Sequence, residues 1–388
     1  MQYRSLGKTG LTASVVGLGC EYLDNRPFDE VEPVVHAALD RGINILDIFM
    51  PGRAVRENIG RALSGNRDKV LIQGHIGSVD LREQYDMSRD PKVCREYFET
   101  LMRCLKTDYI DCGMLFFMDS NEDIDAALNN GIVAYAQELK KKGAVRAIGA
   151  SAHNPVTARR LVEEGLVDMM MFSINPAFDM MPGESDIVAI MSDEPLSGKM
   201  TRADPERAAF YRLCESRGVG LTVMKTLGAG KLLSAEQTPF ARPLTVHQCM
   251  HYALARPAVA SVLVGCRSAE EVQLAAAYAE TGDDDPAKDY SRAIGAFKTD
   301  GQDGFAGSCV YCNHCQPCPQ GIDVAAVTRY LDIARLDEKQ VPESVRQHYR
   351  SLARHGSDCT SCGHCERRCP FKVAVTANMA DAARIFGL

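Results

Sequence analysis

No stretch of this 388-residue chain is strongly basic, and its net charge is −7. Nucleic acid and anionic membrane surfaces are therefore poor partners for it. No apolar run approaches the roughly 20 residues that span a bilayer. The opening, Met1 to Gly10, is polar and charged and lacks the apolar centre of a secretory signal. Phosphate-cradling glycine patterns are missing too. Gly17-Leu18-Gly19 lacks the rest of G-x-G-x-x-G, and Gly228-Ala229-Gly230-Lys231 lacks the spacing of a P-loop. What is left is an ordinary globular composition, 46% hydrophobic and 24% charged, long enough for one large domain and a small one.

Cysteine is abundant: 15 residues, eight of them in two runs near the C-terminus. Cys309, Cys312, Cys315 and Cys318 are each separated by two residues, and Pro319 follows. Cys359, Cys362, Cys365 and Cys369 repeat the pattern with three residues before the last, and Pro370 follows. The second run is the bacterial C-x2-C-x2-C-x3-C-P signature of a [4Fe–4S] cluster, and the first is its shorter variant. In two-cluster ferredoxins the fourth cysteine ligates the other cluster. By that rule one cluster takes Cys309, Cys312, Cys315 and Cys369, and the other takes Cys359, Cys362, Cys365 and Cys318. Structural zinc explains neither the third C-x2 step nor the Cys-Pro ends. Disulfides need an oxidising compartment, to which nothing in the sequence routes the chain. Cys20, Cys94, Cys104, Cys112, Cys214, Cys249 and Cys266 lie scattered in apolar patterns, as free thiols do in reducing compartments. The expectation is a cytoplasmic protein of an anaerobe.

Between about residues 14 and 265, short apolar, β-branched runs alternate with longer amphipathic stretches. The runs are Ser14–Gly19, Ile43–Asp47, Val70–Gly74, Tyr109–Leu115, Ala147–Ser151, Met169–Ile174, Gly220–Lys225 and Val262–Gly265. Helical patterns occupy Asp29–Arg41, Cys94–Leu105, Ile132–Lys142, Ala158–Glu164 and Glu206–Arg217. Eight such units predict an α/β chain, a (β/α)8 TIM barrel over residues 1–295, with its site at the C-terminal ends of the strands. A doubly wound sheet is the rival. Residues 296–388 then form a small ferredoxin-like domain, with helices at Val324–Leu336 and Val373–Phe386 beside the clusters. The acidic Thr281–Asp285 and the Gly-rich Asp300–Gly307 bracket the linker region. The connections 75–93 and 175–205 are long, and the second reads as a substrate lid or as a docking surface for the cluster module.

The opening Met1-Gln-Tyr-Arg-Ser-Leu-Gly-Lys-Thr-Gly-Leu-Thr-Ala-Ser14 resembles the N-terminal hairpin of the aldo/keto reductase superfamily. The resemblance continues through Gly42-Ile-Asn-Ile-Leu-Asp47, Thr107-Asp-Tyr-Ile-Asp111, Ala147-Ile-Gly-Ala-Ser151 and Val264-Gly-Cys-Arg-Ser268. With its cysteine tail, the chain looks like the subgroup carrying a C-terminal ferredoxin-type domain with two [4Fe–4S] clusters. The resemblance implies a barrel, NADPH, and hydride reduction of a carbonyl with a tyrosine acid supported by lysine, aspartate and histidine. Asp47 holds the aspartate position. Gly52 stands at the tyrosine position, His75 at the lysine and Phe116 at the histidine. Ser151 matches the carboxamide-binding serine, but Ala152 follows it in place of asparagine, and Met171 and Met224 stand at the glutamine and stacking-tyrosine positions. Gly265, Arg267 and Ser268 match the loop that grips the cofactor's phosphate, with Glu271 one turn on, and a guanidinium at a helix start suits that role.

The strand-end candidates for chemistry are Asp47, His75, His153, Asn175 and Lys225. His75 can move protons near neutral pH. Asp47 can orient it, and Lys225 can neutralise an anionic substrate or phosphate. The bland readings are a backbone-satisfied histidine and barrel-mouth ion pairs. Asn154-Pro155 suits a helix start, with His153 merely beside it. Tyr85 is a substitute acid that the sequence does not place, and Cys20, Cys112 and Cys266 read as small core residues rather than nucleophiles.

The reading that follows is an iron–sulfur oxidoreductase whose barrel binds a small organic substrate. Its clusters exchange electrons with a protein donor such as a ferredoxin. The alternatives are an NADPH-dependent carbonyl reductase with structural clusters, and a non-catalytic electron-transfer subunit.

Overall fold

The computed structural model describes residues 1–81, 84–181, 204–295 and 307–388. Its strands are β1 (Tyr3–Ser5), β2 (Thr12–Ser14), β3 (Val16–Gly19), β4 (Ile45–Ile48), β5 (Leu71–Ile76), β6 (Ser78–Leu81), β7 (Gln84–Met87), β8 (Ile110–Leu115), β9 (Val145–Ala152), β10 (Met169–Ser173), β11 (Gly220–Met224) and β12 (Val259–Gly265). The chain divides into two compact units.

The first unit comprises Met1–Ser173, Val219–Met224 and Val259–Glu280. Eight parallel strands close there into a barrel in the order β10-β11-β12-β3-β4-β5-β8-β9. The near-continuous apolar runs suit strands buried on both faces. Side-chain alternation sends Ile45, Leu71, Cys112, Ala147 and Met169 into one interior cluster. Leu6, Leu11 and Ala13 from the β1–β2 hairpin join the same cluster and stopper that end of the barrel. Close approach of the hairpin is why Gly220 opens β11: a Cβ there would lie 2.5 Å from the amide nitrogen of Gly7. Side-chain caps begin the outer helices, with Asp90 before Pro91–Leu105, Ser120 before Asn121–Asn129 and Asn154 before Pro155–Glu163.

All eight expected runs are barrel strands, with shifted ends. The run Ser14–Gly19 divides between hairpin strand β2 and barrel strand β3, and β12 begins at Val259, ahead of the expected Val262. The long connection 75–93 contains the hairpin β6–β7. Each strand is only four residues long, Ser-Val-Asp-Leu and Gln-Tyr-Asp-Met, so its alternation is too short to stand out from a loop.

The second unit comprises Ile174–Gly218, Lys225–Ala258 and Thr281–Leu388. Its helices include Pro205–Arg217, Val246–Leu254, Val324–Ala334, Glu343–Arg350 and Val375–Phe386. Ile333, Ala334, Val341 and Val345 form one core with Tyr330, Ile385 and Phe386. Buried Asp179 anchors another part, accepting from Arg207 Nε at 3.2 Å, Tyr211 Oη at 2.6 Å and Tyr252 Oη at 2.8 Å. Most of the expected lid, residues 182–203, lies outside the described residues, as do residues 300–306 of the expected linker. Among the described residues no helix is long and apolar enough to cross a membrane.

Candidate active site and cysteine centre

Strand parity brings Asp47 from β4 and Gln73 and His75 from β5 into the barrel. Asp47 and His75 are each only 2% exposed. Asp47 Oδ1 accepts from His75 Nε2 at 2.8 Å and from Gln73 Nε2 at 3.0 Å. An ionised carboxylate only accepts, so Nε2 carries a proton and the rest of the ring's proton chemistry falls to Nδ1. Among the described residues, buried Nδ1 has no hydrogen-bond partner, and neither has Gln73 Oε1. Leaving such atoms unpaired costs about 1–3 kcal/mol each, a cost usually retained for a reason. Gln73 gave no sequence signal beyond its two-residue offset from His75.

Aromatic rings surround the pair. Phe116 meets His75 edge-on with centroids 5.4 Å apart, and Phe49 does so at 6.2 Å. Tyr85, on β7, sets its ring 5.5 Å from Phe49 and is more than half exposed. Gly52 caps the helix Arg53–Ala62, where a Cβ would stand 3.2 Å from Asp24 Oδ1. His153 is held by Asp119, whose carboxylate accepts from His153 Nδ1 at 2.7 Å and from the amides of His153 and Asn154. Asp119 is a partner the sequence did not announce.

Ser151, at the end of β9, accepts through Oγ from the amide of Phe117 at 2.9 Å, and Phe117 sits in the left-handed region at φ 56°. At the phosphate-type loop, a Cβ on Gly265 would strike the Tyr22 ring at 2.8 Å, and the Arg267 guanidinium lies over the same ring at 4.3 Å. Ser268 caps the helix Ala269–Ala276, and the Arg267 amide donates to Glu271 Oε2 at 2.6 Å. A carboxylate thus already sits where an anion would be received. The Cys20, Cys112 and Cys266 thiols are all pushed up by burial, Cys266 to about 12, which leaves them unreactive.

Lys225 and Asn175 belong to the second unit. Lys225 has φ 59°, and its carbonyl accepts from Asn175 Nδ2 at 2.8 Å. No ion pair of the Lys225 ammonium occurs among the described residues.

All eight run cysteines lie in this second unit as well. Cys318, Cys359, Cys362 and Cys365 line one concavity, walled by Ile322, Val324 and Met379. Burial pushes the Cys312 and Cys315 thiols up to about 12, with the charge of Cys369 adding to both. Burial likewise raises Cys309, helped by Cys312 and Cys315. Cys365 of the second run also raises Cys315, more than Cys369 does, so the charges couple the two runs without dividing them into ligand sets. Among the described residues, no group of three or more His, Cys, Asp or Glu side chains is gathered tightly enough to hold a single metal ion. Beside the first run, the buried Arg256 guanidinium donates from Nη2 to the Val310 carbonyl and to Tyr290 Oη, and its Nε has no partner among the described residues.

Residues 15–247 match the aldo/keto reductase family. The chain belongs to that family and is an oxidoreductase. It is 25% identical over 286 residues to the uncharacterized oxidoreductase YqkF of Bacillus subtilis, covering 70% of this chain and 89% of that protein. It is 26% identical over 310 residues to the L-galactose dehydrogenase of Arabidopsis thaliana, covering 70% and 86%. The holo form of aldo-keto reductase AKR11C1 from Bacillus halodurans shares the fold, with a TM-score of 0.57 and 23% identity over 73% of this chain and 92% of that one. The family acts on small organic substrates and typically binds NADP(H).

Proposed function

We propose that the chain is an iron–sulfur oxidoreductase whose Asp47–His75 pair handles the substrate proton in the barrel. The observation that carries this is the buried, unpartnered Nδ1 of a histidine whose Nε2 is held by a carboxylate. A substrate oxygen placed at Nδ1 receives or gives a proton there, while Asp47 fixes the ring and stabilises its charged form. This takes over the work of the tyrosine replaced by Gly52. Phe49 and Phe116 exclude water from the pair, which strengthens its electrostatics. Lys225 is assigned to neutralising an anionic group of the substrate or cofactor.

Cys309, Cys312, Cys315 and Cys369 would hold one [4Fe–4S] cluster and Cys318, Cys359, Cys362 and Cys365 the other, in a ferredoxin-like module of residues 296–388 that follows a barrel of residues 1–295 in the chain. Bound clusters supply one-electron conduction to a ferredoxin-type partner. Ser151, Gly265, Arg267 and Ser268 would hold NADP(H), whose phosphate has to displace Glu271 from the Arg267 amide. The protein works in the reducing cytoplasm of an anaerobe. The retained phosphate-type loop favours a second reading, an NADPH carbonyl reductase with structural clusters, against which stand Gly52, His75 and Phe116. A non-catalytic electron-transfer subunit has no need of orphaned polar atoms inside its barrel.

The test is an anaerobic titration with NADPH, followed by absorbance and EPR, with iron and sulfide assayed on the same sample. Iron and sulfide for two clusters, bleached by NADPH, support the reading with its nucleotide site. Bleaching by dithionite alone removes NADP(H) from it. Absence of iron and sulfide from anaerobically prepared protein overturns it.

A further inference from the structure

Arg256 follows the helix Val246–Leu254 and is 6% exposed. Its guanidinium lies over the rings of Tyr252 at 4.2 Å and Tyr311 at 5.1 Å. Every hydrogen-bond partner it has among the described residues is neutral: Tyr290 Oη at 3.1 Å and the Val310 carbonyl. Tyr290 Oη also donates to that carbonyl, at 2.7 Å. Asp179 and Asp332, which line the same concavity, are engaged elsewhere, Asp179 with Arg207 and Asp332 with Tyr311 Oη at 2.7 Å. Arginine does not lose its proton in proteins, and a buried charge without a counter-ion costs several kcal/mol. Among the described residues no carboxylate hydrogen-bonds this buried cation, so a further anion beside it would be stabilised.

The position of Arg256 identifies that anion. Val310 lies between Cys309 and Cys312, so the guanidinium grips the backbone of the first cysteine run. A four-iron cluster with four thiolates is anionic in both oxidation states, and more so by one charge when reduced. Among the described residues, no buried arginine hydrogen-bonds the backbone of the second run. Arg367 donates from Nη1 to the Cys362 carbonyl at 3.2 Å, but it is exposed, where water and salt screen it.

We infer that Arg256, buried against the backbone of the first cysteine run, is a positioning residue that raises the reduction potential of the cluster held there above that of its neighbour. Electrons entering through the second run, where Cys362 is exposed, therefore settle at the first. This rests on the two-cluster reading. The step is a single-electron transfer from one cluster to the other, with no proton or bond change.

The experiment is an EPR-monitored anaerobic redox titration of the full chain, wild type against Arg256→Gln and Arg256→Lys. Iron and sulfide are assayed throughout, and a Cys309→Ser variant assigns the first-run signal. In Arg256→Gln the first-run midpoint moves to more negative potential, the second-run midpoint stays, and Arg256→Lys recovers most of the shift. Unmoved midpoints, or equal shifts in both, overturn the inference. If Arg256→Gln binds only one cluster, Arg256→Lys decides alone: a midpoint near wild type supports a role for the charge, and a large negative shift overturns it. Wild-type protein without iron and sulfide would instead overturn the two-cluster reading.

Discussion

Asp47 is the pivot of the barrel site because one oxygen serves two buried donors. Asp47→Ala leaves His75 Nε2 and Gln73 Nε2 unsatisfied together, and the expected loss is about 2–4 kcal/mol in urea unfolding. His75→Ala leaves the buried Asp47 carboxylate with Gln73 as its remaining side-chain donor among the described residues, and should cost a similar amount. Activity gives a separate readout. With NADPH and a panel of aldehydes and quinones, His75→Ala is expected to lower kcat/KM by about 10²–10⁴-fold, the usual worth of a general acid–base group. Equal activity in wild type and His75→Ala would remove the proton role. Asp47 and His75 were legible in the sequence because strand ends in a barrel face its mouth. The arrangement that gives them meaning was not. Gln73 looked like one more strand residue, and an atom without a partner is a property of three dimensions.

The same contrast holds one level up. All eight barrel strands could be read because strands buried on both faces leave dense apolar runs. The β6–β7 hairpin escaped because its alternation runs for only four residues on each strand. Helix contacts are less legible still, as Gly60 illustrates. It lies within Arg53–Ala62, where propensity alone favours alanine by about 1 kcal/mol. A Cβ there would fall 2.3 Å from the Cys104 carbonyl oxygen and 2.9 Å from Leu105 Cα, on the helix Pro91–Leu105. Both obstacles are backbone, so the helices must part. Gly60→Ala is therefore expected to destabilise by about 1–3 kcal/mol, the usual range for overpacking. A urea midpoint equal to or above that of wild type would show that the helices separate without loss.

Over the whole molecule, the cysteine-bearing segment shares its compact unit with Ile174–Gly218 and Lys225–Ala258, which precede it by many residues. The apolar face of Pro205–Arg217 reads the same whichever partner covers it, so the sequence did not disclose this. One tie within that unit is polar and pH-sensitive. Glu215, on Pro205–Arg217, faces His348, on Glu343–Arg350, at 3.5 Å and accepts from the Ala258 amide at 2.6 Å. The hydrogen bond to Glu215 raises the His348 pKa above its usual value, against the opposing effect of its partial burial. Burial works to raise the Glu215 carboxyl, but His348, the Arg329 charge and the Ala258 amide hold it below its usual range. The histidine contribution is thus full below a pH of about 6.5 and fades as pH rises through the raised value. The carboxylate contribution is present above about 4.5 and fades as pH falls through the lowered value. Both operate together between roughly pH 4.5 and 6.5, so there the pair ties the earlier helix most firmly to the cysteine-bearing segment. His348→Gln should therefore unfold more easily than wild type near pH 6 and nearly equally near pH 9, as read by urea titrations at the two values. A difference that is constant with pH would mean that His348 acts there by packing alone, and that the charge of Glu215 is met by Arg329 and the Ala258 amide without it.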